Sequence, residues 1–411
     1  MSTIRRSVVF TEQFYYPEGA GAAQIPRDIT VHLARSGFAV HVICGSEQYA
    51  PIEGDCGEDP TAAGVTIRRT PRLFGGDVQR HKLLRQLWFC LCALPLLLFR
   101  PAPAVFVTQT NPPFVVPLIA LVAAVRRRPF VIIAQDLYPE VVEAHGMVAG
   151  NSLPGRILRW IFGWAYRRAA RVVSLGPVMS ERLGRKGVPA ARITQICNWA
   201  TGDEGIVRGS ENELRAEWGL ERCFVILYSG NLGIAHDVAT PILAVRRLMA
   251  EIPQLRLVFI GKGSRLAEAQ RVARDAGVSE AVQFRPLVPL NMLPHSLGIA
   301  DLALVTLREG FEGLVVPSKL LGYMARGVPT LYVGPPSDAQ QLVDESGGGL
   351  SAANGDVERL VDLLRRLTAD PAVLSRMSAA AERFYRERVS RQIGLERYRV
   401  VLEQVAGFAR A

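Results

Sequence analysis

Short runs of β-branched and aliphatic residues recur along the chain, separated by stretches whose apolar residues fall at helical spacing. In the first half, Ser7–Thr11 reads as a strand, followed by a glycine-rich loop and a helix from about Gln24 to Arg35. Ala39–Ile43, Ala104–Thr108, Phe130–Ala134 and Arg171–Ser174 read as further strands, with helices expected between them. A polar, irregular stretch from about Asn198 to Ser210 interrupts this alternation. It then restarts with strands at Phe224–Ser229, Leu255–Ile260, Ala281–Phe284 and Leu302–Val305, and helices near Val238–Met249 and from Ser264. Strand–helix alternation at this spacing predicts parallel, doubly wound α/β sheets covered on both faces. Two such blocks joined by one linker predict two Rossmann-like domains facing a cleft, with ligands beyond the carboxyl ends of the strands.

At 411 residues the chain is long enough for two domains, and 49% hydrophobic with 21% charged residues is a globular composition. No wholly apolar stretch reaches the length of a bilayer span. Arg5 and Arg6 stand before a short strand-like run rather than the apolar core of a signal peptide, so a cytoplasmic location is expected. Cys44, Cys56, Cys90, Cys92, Cys197 and Cys223 lack paired metal-ligand spacing and read as reduced thiols.

Charge changes the picture more. Residues 1–200 hold 23 Lys and Arg against 13 Asp and Glu, whereas residues 201–411 hold 25 of each. The whole surplus of 10 therefore lies in the half that also carries the apolar runs Leu87–Phe99 and Pro112–Val125, the second followed by Arg126-Arg127-Arg128. A third stretch, Arg156 to Arg171, mixes Trp160, Phe162 and Trp164 with arginines. Each run reads as an ordinary buried helix, or as an element lying on an anionic membrane surface, and the charge favours peripheral attachment to the inner face of a membrane. Nucleic acid is not expected, for want of zinc-ligand spacing and of further basic stretches interleaved with stacking aromatics.

Several loops fall where chemistry is expected. Glu18 to Ala23 places Gly19 and Gly21 between the first strand and first helix, where glycines and a helix start suit either a tight turn or an approach to an anion. Asp136 and Glu140 follow the strand at Phe130, as candidate carboxylates for sugar hydroxyls or proton handling, or as turn residues before and after Pro139. In the second half, Ser229-Gly230-Asn231-Leu232-Gly233 leads to His236, and Gly261-Lys262-Gly263 ends the next strand in the same way. The fullest cluster runs from Glu309 through Glu312 to Pro317, Ser318 and Lys319. Pro317 and Ser318 suit a helix start, which would put Lys319 where an anion is favoured. The chain has only four lysines among 48 basic residues, Lys82, Lys186, Lys262 and Lys319, and two of the four lie on this expected ligand face.

Phe14–Ala23, Gln135–Glu140 with Glu143–Val148, Leu227–Asp237 and Val316–Pro329 together resemble the retaining glycosyltransferases of the GT-B fold, family four. The likeness spans nearly the whole chain and is strongest to the bacterial branch that builds surface polysaccharides and O-antigens, including N-acetyl-L-fucosamine transferases. It implies a UDP-sugar donor, a HexNAc or deoxy-HexNAc, in a C-terminal domain over residues 211–386. It also implies an undecaprenyl-diphosphate-linked acceptor on an N-terminal domain of residues 1–200, to which a final helix within 387–411 returns. No metal or other cofactor is implied, and the anomeric configuration is retained. By position, Gly19 and Gly21 fall in the acceptor and diphosphate loop, and Asp136 near a polar residue of the catalytic face. Asn231, His236 and Lys319 fall around the donor diphosphate, and Gly261, Gly263 and Leu287 near the nucleotide.

The chain also departs from that family. Many relatives carry two glutamates separated by seven residues, where this sequence has Leu314 and Gly322, so Glu309 and Glu312 take that role only in a shifted loop. Asn231 and His236 stand where an Arg and a Lys often hold the diphosphate. A non-catalytic, membrane-associated GT-B-like partner subunit and a nucleotide-sugar epimerase are the alternative expectations. A nicotinamide enzyme is not expected, because neither glycine loop has dinucleotide spacing.

Overall fold

The computed structural model describes residues 6–17, 21–46, 58–73, 81–99, 103–200 and 205–407. It divides into two compact units, one of residues 1–198, 313–315 and 391–411, the other of residues 199–312 and 316–390.

The first unit is built on a seven-stranded parallel sheet. Its strands are β1 (Ser7–Glu12), β2 (Ala39–Gly45), β3 (Thr66–Thr70), β4 (Val105–Gln109), β5 (Phe130–Ile133), β6 (Arg171–Ser174) and β7 (Ile193–Gln195), in the spatial order β3-β2-β1-β4-β5-β6-β7. The order reverses between β1 and β4, the switch point at which ligands gather in open α/β sheets. All five residues of β4 and all four of β5 are buried, because helices cover both faces. The C-terminal helix Arg391–Val405 belongs to this unit, burying Leu395, Tyr398, Val401 and Leu402. Arg391 pairs with Asp28 at 2.9 Å and Arg6 with Glu403 at 3.0 Å.

The second unit has six parallel strands, β8 (Phe224–Ser229), β9 (Leu255–Ile260), β10 (Val282–Arg285), β11 (Leu302–Thr306), β12 (Thr330–Val333) and β13 (Gly349–Ala352). Their order is β10-β9-β8-β11-β12-β13. Ile226, Leu257, Phe259, Leu304 and Leu331 pack with Ile242, Val245 and Leu360 from the flanking helices to form its core.

Four strands escape the apolar pattern. Thr66–Thr70 carries two arginines, and it and Ile193–Gln195 are the two opposite edges of the first sheet, where one side stays wet. Gly349–Ala352 is likewise an edge strand, and Thr330–Val333, though interior, has only four residues directly after Pro329.

The apolar run near Leu87 also differs from expectation. It lies in an 18-residue helix, Lys82–Phe99, the one described helix long and apolar enough to cross a membrane by length and composition. Its packing is that of a surface helix. Arg85, Phe89, Ala93 and Leu97 are buried at four-residue intervals, and Pro95 sits on the exposed side without ending it. Only 28% of this helix is buried.

Candidate functional site

In the second unit the loops at the carboxyl ends of β8, β9 and β11 converge. The first two are joined backbone to backbone. Gly230 N donates to Ile260 O at 2.8 Å, Leu232 N to Lys262 O at 2.7 Å and Arg265 N to Leu232 O at 3.0 Å. This closeness requires glycine. Gly261 and Gly263 adopt φ of +150° and +148°, and a β-carbon at either would stand 2.0 Å from Gly230 O or 2.3 Å from Leu232 O. Both glycines were expected near a nucleotide; the structure gives them the packing of one loop on the other.

Lys319 is the first residue of the short helix Lys319–Ala325, with Ser318 before it and Pro317 buried. Its partly buried Nζ donates to the phenol oxygen of Tyr228 and lies 3.7 Å from the centroid of that ring. Burial lowers the ammonium to about 7. The Tyr228 hydroxyl in turn donates to Asn231 O at 2.8 Å. Gly230 adopts φ of +125°, which favours glycine, and a β-carbon there would lie in ordinary contact with Lys319 Cε, at 3.5 Å. His236 meets the Tyr228 ring edge-on at 5.5 Å and its Nδ1 bonds Thr306 O at 2.8 Å. Burial, with Lys319 adding to it, pushes this imidazole down to about 3, so it is neutral, with its proton on Nδ1.

The other expected donor residues surround this centre less closely. The Asn231, Lys262 and Ser318 side chains are exposed, and Leu287 is half exposed in the loop after β10. Glu309 is exposed, while Glu312 turns back to accept from Gly310 N at 2.8 Å. At Gly322, where many relatives carry a glutamate, a β-carbon would meet only Arg326 Nη1, at 3.8 Å. Asp237, beside His236, caps its helix by accepting from Ala239 N at 3.0 Å.

In the first unit, Thr110 Oγ1 accepts from both Gln135 N and Asp136 N at 3.0 Å, fixing the loop after β5. Asp136 forms an isolated antiparallel bridge with Val315, and Leu137 N donates to Leu314 O at 2.9 Å. Burial raises the Asp136 carboxyl to about 6, against the pull of His145 and Lys82. Glu140 is committed elsewhere, paired with the Lys186 ammonium, which also reaches Tyr138 O at 3.1 Å. Glu12, at the end of β1, is buried, accepts from Gln109 N at 3.2 Å and is raised well above the carboxylate range by burial. Gly21 opens the helix Gly21–Arg35, and Gly19 lies outside the described residues. Among the described residues no three His, Cys, Asp or Glu side chains are grouped to hold a metal.

The sequence pattern does not single out Tyr228 or Glu12. Tyr228 lies within a continuous apolar run and Glu12 directly after one, Ser7–Thr11, and only their places at the carboxyl ends of β8 and β1 set them apart.

Two doubly wound parallel sheets on one chain, with the last helix returned to the first, define the GT-B class of fold. Anabaena Alr3699/HepE, solved in complex with UDP-glucose, superposes with a TM-score of 0.69 at 15% identity, over 97% of this chain and 99% of that one. The glycosyl transferase 4-like domain matches residues 20–199, and glycosyl transferases group 1 matches residues 210–384. With both halves matched in order, the chain belongs to the family-four glycosyltransferases. It is 27% identical over 301 residues to WbjE of Pseudomonas aeruginosa, named as a glycosyltransferase, covering 72% of this chain and 73% of that one. It is 26% identical over 333 residues to WcaI of Escherichia coli (strain K12), named for colanic acid biosynthesis, covering 76% and 79%.

Proposed function

We propose that this glycosyltransferase moves a HexNAc or deoxy-HexNAc unit from a UDP-sugar to an undecaprenyl-diphosphate-linked acceptor, with retention and without a metal, in surface polysaccharide synthesis. The observation that carries the donor reading is the Lys319 ammonium. It stands beside the two glycine loops at the carboxyl ends of the second sheet, held by a neutral phenol rather than a carboxylate. A cation so placed suits a diphosphate. The UDP-glucose bound to HepE and the polysaccharide role in the name of WcaI agree with this reading. Asp136, a carboxylate held by its backbone in a rigid loop, is assigned to an acceptor hydroxyl. Glu140 then anchors that loop through Lys186. The exposed Leu83, Leu84, Leu87 and Leu91, on the unit with the surplus positive charge, are assigned to the membrane that carries the acceptor.

The test is thermal stabilisation by UDP, GDP and ADP, for wild type and Lys319→Ala. A ligand at a hundred times its Kd adds about 2.7 kcal/mol. UDP alone is expected to stabilise wild type, and the variant is expected to lose that response while keeping its unliganded melting temperature. Gly322, in place of a glutamate, favours one other reading, a non-catalytic partner subunit. Absence of stabilisation by any nucleotide selects that reading instead.

A further inference from the structure

Lys319 differs from an ordinary surface lysine in what holds it. Lys186, the other partly buried lysine with a resolved partner, sits against the Glu140 carboxylate. Lys319 has no carboxylate in ion-pair range among the described residues, and its hydrogen-bond partner is the Tyr228 phenol. The ring places π-electron density 3.7 Å from the same nitrogen. Tyr228 is itself fixed. It is 1% exposed, its hydroxyl proton goes to Asn231 O at 2.8 Å, and Phe259 and His236 pack on its ring at 5.7 and 5.5 Å. Its phenol oxygen thus presents a lone pair to Lys319 while its proton is spent on the glycine-rich loop. Tyr323, on the lysine's own helix, accepts from Ser229 N at 2.9 Å, His236 is neutral, and Arg265 pairs with Glu268.

We propose that Tyr228 is the positioning residue for Lys319, holding its ammonium in place with a neutral partner so that its charge is left to be met by a phosphate of the donor nucleoside diphosphate. This rests on the donor-site reading above. A carboxylate in place of the phenol would have to be displaced by the incoming anion. A phenol and ring orient the cation without neutralising it. A second consequence follows from the burial of the lysine. Near neutral pH part of the population has lost its proton, and arrival of a diphosphate restores it. Donor binding is therefore coupled to proton uptake.

The four lysines of the chain make this measurable, because reductive ¹³C-methylation gives four dimethyl-lysine signals, of which Lys319→Arg removes one and so assigns it. In wild type the Lys319 signal is expected to titrate near 7. Tyr228→Phe, which keeps the ring and its packing, is expected to lower that midpoint by about one unit and to weaken UDP about tenfold at pH 7.5, leaving the other three signals in place. Calorimetry of wild type at pH 8 in two buffers of different ionisation enthalpy is expected to show net proton uptake on UDP binding. An unmoved Lys319 midpoint in Tyr228→Phe, or UDP binding without proton uptake, overturns the proposal even if UDP binds well. A Lys319 signal that shifts in Tyr228→Phe but ignores saturating UDP instead removes the donor reading, and with it the ligand assigned here.

Discussion

Replacing Leu87 and Leu91 together by glutamine tests the membrane face most directly. Both lie on the outer side of the Lys82–Phe99 helix, 45% and 61% exposed, so roughly half of each side chain remains to be removed from water. Full burial of a leucine contributes about 1.5–3 kcal/mol, and half of that is about 1 kcal/mol for each residue. The double variant should thus lose about 2 kcal/mol of insertion energy, a partition roughly 30-fold weaker. Glutamine is a good helix former, and neither leucine is in the buried stripe, so each change should cost the fold less than about 0.5 kcal/mol. The assay is co-sedimentation with vesicles of phosphatidylglycerol and phosphatidylcholine, with urea unfolding as the control. Binding should also fall when the anionic lipid is omitted or salt is raised, because the first 200 residues carry the whole charge surplus of 10. Unchanged vesicle binding by a folded double variant refutes the assignment of this helix to the membrane.

Other predictions concern single residues. Gly261→Ala should destabilise the second unit by about 2 kcal/mol or more, read by urea unfolding, since the new methyl would meet Gly230 O at 2.0 Å from a strained φ. Glu140→Gln leaves the Lys186 ammonium without its carboxylate and should lower stability by about 2 kcal/mol with little change in kcat; a large kcat loss in a stable variant would return Glu140 to the catalytic group. Asp136 has a folded pKa raised from 3.8 to about 6, so its contribution to stability is most favourable below pH 4 and is lost as pH rises through 6. Asp136→Asn should therefore flatten the stability profile between pH 4 and 6 and raise the melting temperature at pH 7, measured by thermal unfolding, while transfer activity is lost.

Sequence reading recovered the strands whose both faces are covered, except the four-residue Thr330–Val333. Arg171–Ser174, Phe224–Ser229 and Leu255–Ile260 begin and end where the apolar runs do. It failed at sheet edges, where Thr66–Thr70 needs only one dry face and tolerates Arg68 and Arg69. At the candidate site, Lys319 stood out by rarity and by its place after Pro317 and Ser318. Tyr228 did not, because an aromatic residue in a buried strand looks the same whether it fills the core or steers a lysine. The glycines at 261 and 263 were legible as special, but the neighbouring loop that also demands them was not. A close approach to a ligand and a close approach to a neighbouring loop place the same demand on the backbone, and only the position of Leu232 O distinguishes them.

The helix Arg391–Val405 has a consequence for how the chain is made. Its ion pair from Arg391 to Asp28 joins residues 363 positions apart. At a synthesis rate of about 5–20 residues per second, roughly 20 to 70 seconds separate the emergence of these two partners from the ribosome. The residues of the second unit are all translated before this helix appears, whereas the first, begun earlier, must wait for it with the surface under Tyr398 and Leu402 uncovered. The part of the chain born first is thus the last to be finished. A premature stop that removes the final twenty residues would strike the N-terminal unit and leave the C-terminal one whole.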